Sequence, residues 1–271
     1  MEKALFDHGH PMKIYDDSET FSGSKEPLLT PFLSDDPSSH DSVIIFPGGG
    51  YDHVSLEKEG KMVAATLNHE GLNAFVLDYR VAPAHRDEIL RDAVRAVQLI
   101  RFYSRVCGWG SQKLAVMGFS AGGHLAITEA EHWHEVRTGD DAIAAESGKP
   151  DALILCYPVI TFTEPFAHRN SRLNFLGIDE ADQNELREAY SAEKQVPPDL
   201  SPVFIWHCRD DASVPVENSL MLADALAQAA ISHNLTVYPG GSHGLGLAAD
   251  QEEIRGWFPD SVSWLRKQGF K

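Results

Sequence analysis

From residue 43 onward, short apolar β-rich runs alternate with longer segments of helical period, and that alternation leaves few architectures open to the chain. Repeated strand–helix–strand units build a mostly parallel sheet, because a parallel neighbour is reached only by a crossover that lays a helix on one face. The runs at 43–46, 73–79, 113–118, 152–157, 202–207 and 235–238 are apolar through the middle, as strands covered on both faces must be. The segments 58–69, 86–105, 121–134, 215–230 and 251–268 read as helices. In the second of these, Ile89, Ala93, Val97 and Ile100 recur at helical spacing and give one face to lay on a sheet. Gly71 and Gly108 stand just past their helices, where a left-handed cap is useful. The expected class is α/β, with a mostly parallel central sheet flanked by helices on both faces.

Two stretches depart from the pattern. Residues 1–42 are polar and broken by Pro27, Pro31 and Pro37, so edge strands and loops are expected there. Residues 161–200 form about 40 positions of mixed composition, read as a small cap or insertion with short helices around 180–189. There is no internal repeat, and 271 residues suit a single large domain.

Composition narrows the partners. Forty acidic against 23 basic residues give a formal charge of −17, which repels a phosphate backbone, so nucleic acid is not expected. No run of uncharged apolar residues is long enough to span a bilayer, so no membrane partner is expected. Residues 1–15 lack the basic start and apolar core of a secretory signal, which points to a cytoplasmic location. Cys107, Cys156 and Cys208 have no metal or disulfide spacing and read as reduced thiols in or near the core. Association into a homo-oligomer is left open.

Gly118-Phe119-Ser120-Ala121-Gly122 follows an apolar strand and opens a helical run. A strand-to-helix turn of this kind lifts a serine hydroxyl above the sheet and aims a helix N-terminus at any charge developing beside it. Serine is a poor nucleophile at neutral pH and needs a base, itself held in one tautomer by an acid. Both follow in the required chain order. A loop after the strand at 202–207 offers Asp210 and Asp211, of which Asp211, deeper in the loop and four residues before Pro215, is preferred. The glycine-rich loop 239–244 presents His243, singled out from 13 histidines by its order, its loop and its small neighbours. His207, within its strand, is expected to make a structural hydrogen bond. Pro47-Gly48-Gly49-Gly50-Tyr51, after the strand at 43–46, suits a loop whose backbone N–H groups approach an oxyanion. His124, which opens the helix behind Ser120, is expected to line the cleft.

These motifs, together with Asp-Tyr-Arg-Val-Ala-Pro at 78–83, Gly-His-Leu at 123–125 and Asp-x-x-Val-Pro at 211–215, resemble the acetyl xylan esterase-like branch of the α/β-hydrolases, relatives of the hormone-sensitive-lipase-like esterases. The likeness runs from about 45 to 268, and Pro47 stands where the lipase-like relatives have histidine. The resemblance implies the α/β-hydrolase fold, a triad of Ser120, Asp211 and His243, and oxyanion amides at Gly49, Gly50 and Ala121. It also implies a small-molecule ester substrate, such as an acetylated xylo-oligosaccharide, cleaved through an acyl-enzyme. Tyr51, Trp206 and Trp257 are the aromatic faces expected to meet a sugar. The chemistry requires no metal and no organic cofactor. An amidase or peptidase with the same triad, arylformamidase-like or prolyl-peptidase-like, is the rival reading. A non-catalytic binding module would have no use for the triad and the glycine loop together.

Overall fold

The computed structural model describes residues 8–16, 19–21, 24–36, 40–106 and 113–271. Among the described residues eight strands make one sheet: β1 (Met12–Lys13), β2 (Leu28–Phe32), β3 (Ser42–Phe46), β4 (Asn73–Asp78), β5 (Leu114–Phe119), β6 (Ala152–Cys156), β7 (Val203–Cys208) and β8 (His233–Tyr238). Their order is β1-β2-β4-β3-β5-β6-β7-β8. β2 runs antiparallel to both β1 and β4, and every other pair is parallel. The chain therefore moves from β3 outward to β4 and then returns to place β5 on the other side of β3. This reversal opens a crevice at the C-terminal ends of β3 and β5, where open α/β sheets take their ligands.

The inner parallel strands are apolar through their middles because alternate residues enter two separate cores. Ile44, Phe46, Val116, Leu153 and Ile205 face one core, built on α2 (Arg86–Val106), α3 (Ala121–His132) and α6 (Glu217–Gln228). Val43, Ile45, Met117, Ile154 and Trp206 face the other, covered by α1 (Met62–His69) and α7 (Trp257–Lys267). Ile89, Ala93, Val97 and Ile100 are all buried, as the helical spacing required. Among the described residues no helix is long and apolar enough to cross a membrane.

Most expected elements lie within a residue or two of their observed bounds, and the departures have identifiable causes. The segment 58–69 is divided into a π-helix, Leu56–Lys61, and α1. α7 begins at Trp257 rather than at 251, because Pro259 is tolerated only in a first helical turn, where its missing N–H needs no acceptor. Gly71 has the expected positive φ of 80°. Gly108 and Cys107 lie outside the described residues, whereas Cys156 and Cys208 are buried free thiols. Between β6 and β7 lie α4 (Arg169–Leu176), α5 (Asn184–Ala189) and a short 3₁₀ turn. α5 falls within the expected 180–189, and α4 is an additional helix.

A buried ion pair ties the N-terminal segment to this frame. Asp92, on α2, accepts from Arg80 Nε at 2.9 Å, Arg80 Nη2 at 2.7 Å, the Arg80 backbone N–H at 3.0 Å and Tyr15 Oη at 3.0 Å. The Asp-Tyr-Arg sequence after β4 thus has its arginine committed to structure.

Candidate active site

Ser120 lies between β5 and α3 with φ 53° and ψ −119°, a strained conformation that costs of the order of 1–3 kcal/mol. Its neighbours hold it there. The Ser120 N–H donates to the Cys156 carbonyl at 2.9 Å. The flanking glycines are steric requirements: a Cβ on Gly118 would fall 2.2 Å from the Gly122 carbonyl oxygen, and one on Gly122 would fall 2.0 Å from that of Phe46.

Because β7 and β8 are parallel to β5 in the same sheet, the loops after them open on the same edge. They bring Asp211 and His243 to Ser120. His243 Nε2 is 2.8 Å from Ser120 Oγ, and His243 Nδ1 is 2.6 Å from Asp211 Oδ2. An ionised carboxylate can only accept, so the imidazole proton sits on Nδ1 and leaves Nε2 to accept from the serine hydroxyl. Asp211 is only 5% exposed, whereas Asp210 is on the surface. Burial alone would raise the Asp211 carboxyl. The nearby imidazoles of His207 and His243 and the Val214 N–H outweigh it and hold the group well below the usual carboxylate range. His207 makes the expected structural bonds: Nε2 donates to the Val214 carbonyl at 2.8 Å, and Nδ1 faces Ser219 Oγ at 2.7 Å.

The register between β3 and β5 sets Phe46 beside Gly118, so the glycine loop stands against the Ser120 turn. Three side-chain bonds add to the loop's own backbone bonds in fixing it. Tyr79 Oη donates to the Pro47 carbonyl at 2.6 Å, the Gly48 N–H donates to Glu59 Oε2 at 2.9 Å, and Asn174 Nδ2 donates to the Gly50 carbonyl at 2.9 Å. Gly49, at φ 129°, could not carry a side chain, since a Cβ would lie 2.1 Å from the His53 carbonyl oxygen. Among the described residues no acceptor faces the N–H groups of Gly49 and Gly50. Ala121 opens α3, whose first turn has no side-chain cap.

The cleft above these groups has a volume of about 640 Å³. Beyond Ser120 and His243 its walls include Asp52, Ser55, Glu59, His168, Asn170 and Asn174, with no hydrocarbon side chain among the described residues. His168 caps α4, and its Nδ1 accepts from the Ser171 N–H at 3.3 Å, with Ser171 Oγ 2.7 Å away. Nδ1 is therefore unprotonated and Nε2 carries the proton. Burial, and then the proximity of His243, lower its pKa, which favours the neutral ring.

Four expected cleft residues lie elsewhere. Tyr51, His124, Trp206 and Trp257 are each 0% exposed and none lines the cleft. Trp206 and Trp257 stack on each other at 4.9 Å within the core between the sheet and α7. Tyr51 packs on Phe175 at 4.9 Å, and its Oη donates to His124 Nδ1 at 2.8 Å. His124 Nε2 in turn donates to the Tyr190 carbonyl at 2.9 Å. Burial drops the His124 pKa to about 4, so it is a neutral structural group. Aromatic and imidazole side chains suit a core and a cleft equally well by composition, and here every polar atom of Tyr51 and His124 finds its partner inside. Glu59 and His168 do line the cleft, yet the sequence carries no motif that singles them out. Their one signal is position, since each lies in a connection that leaves the C-terminal end of a parallel strand, β3 for Glu59 and β6 for His168.

A mostly parallel sheet flanked by helices, with serine, histidine and carboxylate aligned at its C-terminal edge, defines an α/β-hydrolase. Within that class the chain belongs to the BD-FAE family, whose sequence profile matches residues 32–226. It is 39% identical over 236 residues to "Endo-1,4-beta-xylanase B" of Butyrivibrio fibrisolvens, covering 85% of this chain and 36% of that protein. It is 31% identical over 238 residues to "Acetylxylan esterase" of Xylanibacter ruminicola, covering 87% of this chain and 47% of that one. The chain thus spans between about a third and a half of the length of these relatives. An acetyl ester-xyloside bifunctional hydrolase from Caldicellulosiruptor lactoaceticus superposes with a TM-score of 0.87 at 35% identity, covering 98% of each chain.

Proposed function

We propose that this chain is a serine carboxylic-ester hydrolase that removes acetyl groups from small acetylated carbohydrates such as xylo-oligosaccharides. The observation that carries the reading is the hydrogen-bonded line from Ser120 through His243 to Asp211, at 2.8 and 2.6 Å. In this mechanism Ser120 Oγ attacks the ester carbonyl while His243 Nε2 takes its proton, and Asp211 stabilises the imidazolium that forms. The tetrahedral oxyanion is received by the N–H groups of Gly49, Gly50 and Ala121. His243 then protonates the departing alcohol. Water attacks the acyl-enzyme with the same imidazole as base, releasing acetate and restoring the serine.

The walls of the cleft support the alcohol half of the substrate. With Asp52, Asn170, Asn174 and His168 lining it and no hydrocarbon side chain among the described residues, the cleft favours a hydroxylated leaving group and a short acyl chain over a fatty one. Similarity to proteins named for xylan and acetyl-ester hydrolysis supports the same choice. The test is acetate release from acetylated xylo-oligosaccharides set against p-nitrophenyl esters of increasing chain length and an acetyl amide panel. Turnover falling with acyl length and negligible on amides is expected. Preference for an amide or a long acyl ester overturns the assignment.

A further inference from the structure

Glu59 takes no part in the proton relay, yet its carboxylate joins the two loops on which that relay depends. Oε2 accepts from the Gly48 N–H at 2.9 Å, immediately before the Gly49-Gly50 pair. Oε1 accepts from Tyr157 Oη at 2.7 Å, and Tyr157 Oη in turn accepts from the Gly246 N–H at 2.9 Å, three residues beyond His243. Glu59 is 4% exposed and still borders the cleft.

Its surroundings are built to keep it there. Glu59 sits on the π-helix Leu56–Lys61, and widened turns of this kind recur at functional sites. The next residue, Gly60, seats that turn on the sheet so closely that a Cβ would come 2.8 Å from Val76 Cγ1. Tyr157 is itself held at φ 38°, in the left-handed region, with its ring 5.0 Å from that of His243 in an edge-on arrangement. A strained tyrosine, a widened helical turn and a buried carboxylate thus meet at one point between the glycine loop and the histidine loop.

We propose that Glu59 is a positioning residue: through Gly48 and Tyr157 it sets the oxyanion loop and the His243 loop in one geometry. The inference rests on the esterase reading above. A free carboxylate beside a developing oxyanion would oppose the reaction by repulsion, so any benefit must come from where Glu59 holds other groups. A carboxylate suits that task because two donors converge on it. The isosteric amide offers one acceptor oxygen, and so leaves either the Gly48 N–H or the Tyr157 O–H without a partner. Burying an unneeded carboxylate is costly, and apolar replacements of such groups are often neutral or stabilising, so fold stability alone gives little reason for one at this point.

The experiment compares Glu59→Gln, Tyr157→Phe and the double variant with wild type and Ser120→Ala. Steady-state hydrolysis of p-nitrophenyl acetate, the rate of labelling by a fluorophosphonate, and the thermal midpoint are measured for each. Misplacing reacting groups by about an ångström costs roughly a hundredfold, so Glu59→Gln is expected to lower kcat and labelling rate by roughly that factor with KM little changed, and to lower the thermal midpoint only by what one unpartnered buried donor costs. Tyr157→Phe is expected to lower kcat less, because the Gly48 bond survives. The double variant should lose less than the product of the two single losses. A folded Glu59→Gln protein with wild-type kcat, or with its whole loss in KM, overturns the inference. If Glu59→Gln does not fold, Tyr157→Phe decides: a native midpoint with reduced kcat supports the role, and unchanged kcat overturns it. Ser120→Ala separates the two readings. If it is inactive while Glu59→Gln matches wild type, only the role of Glu59 fails; if it retains turnover, the esterase reading fails and this inference with it.

Discussion

His243 Nδ1 stands 2.6 Å from Asp211 Oδ2, while the other oxygen of that carboxylate is already held by two backbone N–H groups, Ser213 and Val214, each at 2.9 Å. The carboxylate is therefore fixed by its own loop, and the imidazole takes its orientation from it. This sets apart two adjacent residues that composition does not distinguish, because Asp210 points to solvent.

Asp211→Asn presents an amide NH₂ to Nδ1 and favours the tautomer with the proton on Nε2, which removes the acceptor for the serine hydroxyl. A fall in kcat of roughly 10³–10⁴-fold on p-nitrophenyl acetate is expected, with kcat for Asp210→Asn unchanged. A greater loss at 210 than at 211 would reverse the assignment.

The acid limb of stability has a definite sign. Arg95 grips Asp141 with Nη1 to Oδ1 at 2.7 Å and Nη2 to Oδ2 at 2.5 Å, and this holds the Asp141 pKa down to about 2. A carboxyl depressed in the native state contributes stability that is complete above the unfolded value of about 3.9 and is lost as pH falls through the native one. Asp141→Asn should thus lower the urea midpoint at pH 6 and converge on wild type below about pH 2. The effect is modest, since the Asp141 side chain is 42% exposed and water screens the pair. A gap that widens towards low pH would contradict it.

Arg80 and Asp92 test the frame beneath the site. Removing one member of a buried pair leaves an uncompensated charge, so Arg80→Ala is expected to cost about 3–5 kcal/mol in urea unfolding. Arg137→Ala breaks an exposed pair with Asp140 and should leave the midpoint where it is. Equal midpoints for the two variants would show that the Arg80 cluster adds nothing.

Much of this architecture is legible before any coordinates. Strands such as β3 and β5 announce themselves because both faces are buried and the residues through their middles are apolar. β8, an edge strand of partly exposed residues, opens with the polar pair His233-Asn234 and shows only its latter half. Ser120 and His243 are brought forward by chain order and loop chemistry, which offer Asp211 only as one of a pair with Asp210; burial and the 2.6 Å approach to His243 separate the two. The cleft wall is another matter. Glu59 owes its place to Tyr157, 98 residues away in sequence, and to a π-helical turn that periodicity alone does not reveal. His168 lies in an irregular connection and takes its meaning from the Ser171 N–H bond to Nδ1 that fixes its tautomer. Tyr51 and Trp206 show the reverse case, being aromatic residues near the motifs that the fold turns inward.

His168 supplies a neutral Nε2–H donor in the cleft. If that proton meets a sugar hydroxyl, His168→Ala should raise KM for an acetylated xylo-oligosaccharide roughly tenfold, the worth of one hydrogen bond to a buried polar partner, and leave KM for p-nitrophenyl acetate unchanged. Equal effects on both substrates would remove the donor from sugar recognition.

The most direct measurement is intact mass and peptide mapping after treatment with a fluorophosphonate, which needs no knowledge of the natural substrate. One adduct, on the peptide carrying Ser120, is expected, with neither adduct nor ester turnover in Ser120→Ala of unchanged far-UV spectrum. An adduct on another residue, or turnover retained by the folded variant, would contradict the assignment of Ser120 as the nucleophile.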